Sequence, residues 1–149
     1  MDAIDLLKQD HRKVEDLFAA FLQAEDSEEE REEIFQQIQI ELSAHAEAEE
    51  RAFYPAVQAE IPEQVDEALQ EHSDVKELLA ELLDMDFDDD GFDTGFTNLM
   101  KAVQQHVEEE EGPNGIMETA RQKLSAETLA AISKEIEAVK REIEGEMAA

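Results

Sequence analysis

The sequence predicts an all-α protein, an up-down-up-down four-helix bundle with an additional C-terminal amphipathic helix. Three observations carry this expectation. Only 5 Gly and 3 Pro occur in 149 residues, while Ala, Leu, Glu and Gln, all good helix formers, abound. Apolar residues recur at helical spacing in five segments, with no alternating strand pattern anywhere. Clusters of Pro, Gly and acidic residues separate those segments by short connections, which suit antiparallel neighbours.

The first helix is expected from about Asp2 to Ala24. Leu7, Val14, Phe18 and Phe21 form its stripe, and His11 fills the gap in a 4-3-4-3 spacing. Ser27-Glu28-Glu29-Glu30 reads as a capping box that starts the second helix. That helix should run to about Glu60, with Phe35, Ile38, Leu42, His45, Glu49, Ala52 and Ala56 inward. Pro55 would kink it, because proline offers no N–H and its ring collides with the preceding turn. Pro62 suits the first turn of the third helix, which reaches about Met85 with Val65, Leu69, His72, Val75, Leu79 and Leu82 inward.

An acidic loop, Asp84 to Gly91, follows. It begins like an EF-hand loop, but Thr97 stands where the bidentate glutamate belongs, so it reads as an acidic turn. The fourth helix, about Phe92 to Glu111, turns Phe96, Leu99, Val103, His106 and Glu110 inward. Gly112-Pro113-Asn114-Gly115 stops it. A short helical piece from Ile116 to Leu124 leads to a fifth amphipathic helix, Ser125 to about Glu146. Its face of Leu129, Ile132, Ile136, Val139 and Ile143 could cover the bundle or pair with a second copy.

The chain has four histidines, His11, His45, His72 and His106, each on the inward stripe of a different bundle helix. Glu49 and Glu110 each lie one turn after a histidine, on the same face. Helix rise puts His72, His106 and the His45/Glu49 pair each roughly 15–20 Å from the helix ends that join them, and all six groups fall in one layer if residues 24–30 form a loose connection between the first two helices. Burying four imidazoles and two carboxylates without partners would cost several kcal/mol per ion or orphaned group. A lone inward histidine is ordinarily a satisfied core residue; four in register with two carboxylates make the ligand set of a buried two-metal site. The zinc-protease spacing His-Glu-x-x-His is absent, and so is the Glu-x-x-His of ferritin-like bundles. The expected organisation is one domain: a four-helix metal-binding bundle over 1–111 and a helical extension over 112–149.

At these residues the chain resembles the hemerythrin-like HHE cation-binding family of non-haem di-iron proteins. The matching stretches are Leu6-Leu7-Lys8-Gln9-Asp10-His11, then His45 through Pro55, then Glu71-His72, then His106 through Glu111. The resemblance implies two iron ions with an oxo or hydroxo group between them. His11 and His45 would hold one iron, His72 and His106 the other, and Glu49 and Glu110 would bridge. It departs from the oxygen carriers at their fifth histidine: Lys76 and Ala68 stand one turn either side of His72. Water, or a carboxylate such as Glu15 or Glu41, would fill that position. The Gly112–Gly115 interruption is a second departure, since the family's segment there continues as helix.

The function so implied is binding or sensing of O2, or reaction with peroxide or NO, because an iron with fewer protein ligands keeps more exchangeable positions. The alternatives are iron handling or storage, and a redox or oxygen sensor module acting through a partner. No catalytic residue is assigned outside the six ligands, and an oxidoreductase activity is left open. The partner would be a small gaseous or peroxide ligand, with the protein a monomer or a homodimer through its last helix. The net charge of −29 repels nucleic acid and anionic lipid; it is read first as serving solubility, with concentration of cations near a metal site as the alternative. No apolar run spans a membrane, no basic-then-apolar leader opens the chain, and there is no Cys, so a cytoplasmic location is expected.

Overall fold

The computed structural model describes residues 1–148. Those residues form α1 (Ala3–Gln23), α2 (Glu28–Ala48), a π-helical turn (Glu49–Phe53), α3 (Tyr54–Val57), α4 (Pro62–Leu83), α5 (Phe92–Glu111), α6 (Ile116–Lys123) and α7 (Ala126–Ala148), with no strand among them. Local chemistry sets several ends. The Asp2 carboxylate accepts from Asp5 N–H at 3.0 Å and the Ser27 hydroxyl from Glu30 N–H at 3.2 Å, capping α1 and α2. Pro62 opens α4. The acidic loop closes on itself, Asp89 accepting from Asp86 N–H at 2.8 Å, and α5 starts at Gly91 with φ of +95°, a conformation other residues rarely adopt.

The bundle pairs neighbours antiparallel. Asp10 of α1 meets His45 of α2, while Phe21 meets Phe35 at the other end. Glu71 of α4 meets His106 of α5, while Leu82 packs where Gly95 leaves room. The second expected helix is not one continuous α-helix. Pro55 has no N–H to give, and its ring displaces the carbonyl one turn earlier; the chain answers with a π turn in which Tyr54 N–H bonds to the Glu49 carbonyl.

α7 lies along α1, α2 and the π turn. Its apolar face of Leu129, Ile132, Ile136 and Val139 is buried within the chain, so the face expected to cover the bundle or meet a second copy covers the bundle. Two apolar clusters result. One surrounds Leu7, Phe53, Val57, Ile116 and Ile136. The other is aromatic, with Phe21 stacked on Phe96 at 4.4 Å and the Arg31 guanidinium 4.7 Å above the Phe21 ring. Each fully buried phenylalanine contributes about 2–3 kcal/mol by leaving water. Between the two clusters lies a polar layer holding all four histidines, Glu49 and Glu110, each under a tenth exposed.

Candidate metal centre

The six residues singled out from sequence come together. One atom from each of His11, His45, Glu49 and Glu110 lies within 4.8 Å of the others, and the same holds for Glu49, His72, His106 and Glu110. The two groups share the glutamates. His11 Nε2 and His45 Nε2 are 3.2 Å apart, as are His72 Nε2 and His106 Nε2. Glu49 Oε1 lies 3.2 Å from His45 Nε2 and 3.0 Å from His72 Nε2, so this carboxylate spans the two histidine pairs. Glu110 does the same, 3.3 Å from His11 Nε2 and 3.2 Å from His106 Nε2.

Four further carboxylates sit behind the imidazoles. His11 Nδ1 is 2.5 Å from Glu111, His45 Nδ1 2.9 Å from Asp10, His72 Nδ1 2.8 Å from Glu50 and His106 Nδ1 2.7 Å from Glu71. An ionised carboxylate only accepts, so each Nδ1 carries the proton and each Nε2 turns a lone pair inward. Lone pairs 3.2 Å apart repel unless a cation or a proton stands between them. Without metal, protons do this work. Burial pushes His45 and His106 down, but the carboxylates win. Glu49 and Asp10 lift His45 to about 10, and Glu110 and Glu49 lift His106 to about 12. Glu49 is held well below the usual carboxylate range by His45, His106 and His72, against the cost of its burial.

The fit to metal ions has a direct sign. Glu49 Oε2 and Glu110 Oε1 are buried with no hydrogen-bond partner; the latter's approach to His11 is close but outside hydrogen-bond geometry. An unsatisfied buried carboxylate oxygen costs a few kcal/mol, and a cation at each histidine pair, with the two glutamates shared between them, would remove that cost.

Sequence reasoning missed a seventh member. The Tyr54 hydroxyl lies 3.0 Å from Glu49 Oε1, 3.3 Å from His72 Nε2 and 3.4 Å from His106 Nε2, and it donates to Glu110 Oε2. On an α-helix Tyr54 would not share a face with Glu49, five residues earlier; the π turn carries it onto the inner face. Burial, then the charges of Glu49 and Glu110, push the phenol well above its ordinary range, so among carboxylates alone it stays protonated. A cation at the same place reverses that balance. Neither Glu15 nor Glu41 fills this position. Glu15 is half exposed beside Arg12, and Glu41 accepts from Lys13 Nζ at 2.7 Å. The Gly112–Gly115 turn does not displace Glu110. α5 runs to Glu111, and the chain then folds so closely over the helix end that a Cβ on Gly115 would stand 2.7 Å from the Glu110 carbonyl oxygen.

The outer carboxylates expose a regularity hidden in the sequence. Asp10, His11, His45, Glu49 and Glu50 each stand 61 positions before Glu71, His72, His106, Glu110 and Glu111. What reads as an echo between two His-x-x-x-Glu segments is a two-fold arrangement of helical hairpins. Tyr54 breaks it, because its counterpart is Gly115.

An apolar cavity of about 60 Å³ adjoins the imidazoles, walled by Val14, Leu42, Val75, Leu79, Val103 and Val107. No described helix is long and apolar enough to cross a membrane.

The family profile of the hemerythrin HHE cation binding domain matches residues 2–113. A DNA nickase from Nostoc sp. is 32% identical over 145 residues, 97% of this chain; the chain spans 40% of that protein's length. The crystal structure of a hemerythrin HHE cation binding domain-containing protein from Mycobacterium kansasii superposes with a TM-score of 0.83 at 24% identity, covering 98% of this chain and 89% of that one.

Proposed function

This chain belongs to the hemerythrin HHE cation-binding domain family, and from that premise we propose that it holds two iron ions and turns over a small oxidant, hydrogen peroxide before NO, rather than carrying O2 reversibly. His11 and His45 would hold one iron, His72 and His106 the other, with Glu49 and Glu110 bridging. The observation that carries the reading is the pair of four-residue groups sharing both glutamates. Imidazole with hard carboxylate oxygen suits iron, as it also suits manganese and zinc. When bound, iron supplies an exchangeable coordination position and one-electron redox chemistry.

The rest falls to the chain. Asp10, Glu50, Glu71 and Glu111 hold the four imidazoles in the tautomer that aims Nε2 at the centre. Tyr54 brings a phenol oxygen within 3.3 Å of His72 Nε2 and 3.4 Å of His106 Nε2, so it could serve the iron that lacks the carriers' fifth histidine. Were a bound cation to ionise it, that oxygen would favour the ferric state over the ferrous state that reversible O2 binding needs. Before a cation binds, the hydroxyl keeps its proton between Glu49 and Glu110. The apolar walls keep bulk water out and admit a ligand of a few heavy atoms. A net charge of −29 opposes a phosphate backbone, which keeps the reading to small neutral ligands.

Iron handling is the second reading. It is favoured by an acidic cleft where Glu67, Glu71 and Glu109 approach one another beside Glu110. An iron count, with spectra after anaerobic reduction and exposure to air and then to peroxide, separates the two. Two tightly held irons with peroxide turnover supports the proposal. A band that forms in air and vanishes on deoxygenation would replace it with O2 carriage, and exchangeable iron without turnover with iron handling.

A further inference from the structure

The four carboxylates behind the imidazoles are not alike. Glu50, Glu71 and Glu111 keep between a fifth and a third of their side chains in water, whereas the Asp10 side chain is 5% exposed. A buried carboxylate needs a countercharge. Asp10 Oδ2 faces His45 Nδ1 at 2.9 Å, and Oδ1 accepts from Lys140 Nζ. Lys140 belongs to α7, outside the residues that match the family profile. Glu71, the counterpart of Asp10 in the second hairpin, has Glu109 beside it and no such lysine. Among the described residues, the last helix therefore sets a lysine behind the His11/His45 pair and none behind its counterpart.

We propose that Lys140 is a positioning residue of the centre, acting through Asp10 on His45, and that it couples the docking of α7 to occupancy of the His11/His45 position. The inference rests on the two-iron reading above. With Lys140 in place, Asp10 is held with one oxygen turned to His45, and the imidazole keeps its aim. Without it, Asp10 Oδ1 is buried with no partner, and the carboxylate turns away from His45 to find one. Outer partners of this kind are worth roughly tenfold to a hundredfold in metal affinity. The coupling is reciprocal: filling the position must tighten α7 by the free energy that α7 lends to binding.

The test uses the full chain loaded anaerobically with ferrous iron, as wild type, Lys140→Met, Lys140→Gln, Lys140→Arg and Lys134→Met, the last an exposed lysine of the same helix. Iron release to a chelator and hydrogen exchange along 126–148 are followed, with helical content as the folding control. In Lys140→Met one of two irons should leave about 10–100 times faster than in wild type while the other stays. Lys140→Gln should fall between, and Lys140→Arg and Lys134→Met should match wild type. Iron should slow exchange in α7 of wild type and leave α7 of Lys140→Met unchanged. A wild-type chain that takes up no iron overturns both readings. Two irons in wild type, with Lys140→Met and Lys140→Gln indistinguishable from it, overturns the role of Lys140 alone, as does α7 exchange that ignores iron.

Discussion

Tyr54→Phe isolates one oxygen atom. The ring stays, and with it the packing at 5.5 Å on His72 and 6.0 Å on Phe53; only the hydroxyl between Glu49 and Glu110 goes. In the metal-free chain that hydroxyl satisfies carboxylates buried to the last few per cent, and a hydrogen bond to a charged group is worth about 1.5–3 kcal/mol. A chain of this size shifts its Tm by about 2–4 °C per kcal/mol, so metal-free Tyr54→Phe should melt about 3–12 °C below wild type by circular dichroism. Iron-loaded wild type should carry a broad visible band from a phenol oxygen on ferric iron, and Tyr54→Phe should lack it while retaining its iron. The metal-free melt and the spectrum test different things: the first the hydrogen bond, the second the ligand. An unchanged metal-free Tm with an unchanged visible spectrum would refute the reasoning, since the hydroxyl would then do nothing that the ring does not.

His72→Ala should leave one iron per chain instead of two, read by metal analysis, because only the His72/His106 pair loses an imidazole; two retained irons would deny His72 a ligand role. Chelation of the metals should lower the melting temperature, since ions that tie four helices together stabilise by RT ln(1 + [L]/Kd), about 4 kcal/mol at a thousandfold excess over Kd. Val103→Phe, which fills the cavity beside the imidazoles, should keep the iron count and slow reaction with peroxide in stopped-flow spectra; an unchanged rate would place ligand entry elsewhere. Leu99→Ala, fully buried in the aromatic cluster and away from the polar layer, should cost about 3 kcal/mol in denaturant melts and leave the iron spectrum intact.

The helices were legible because each is amphipathic over several turns, and periodicity survives whatever the helix packs against. The six inward groups were legible for the same reason, since His11, His45, Glu49, His72, His106 and Glu110 occupy stripe positions that apolar residues would otherwise fill. Asp10, Glu50, Glu71 and Glu111 were not, because in a chain with 41 acidic residues another Asp or Glu beside a histidine carries no signal of its own. The constant spacing of 61 could have disclosed them. Tyr54 escaped because reading a face from sequence assumes one helical period, and Pro55 changes the period locally.

The sequence by itself determined the all-α bundle, the order of its helices and the residues that share a layer, because these follow from spacing along one chain. Only the tertiary structure decided how that layer is finished. It put the Tyr54 hydroxyl among the carboxylates, matched each imidazole to a carboxylate on another helix, and brought Lys140 from α7 onto Asp10. Those contacts join residues 5 to 130 positions apart. Their partners are chosen by helix rotation and by the electrostatic need of buried charges for one another, and neither leaves a local pattern in the chain.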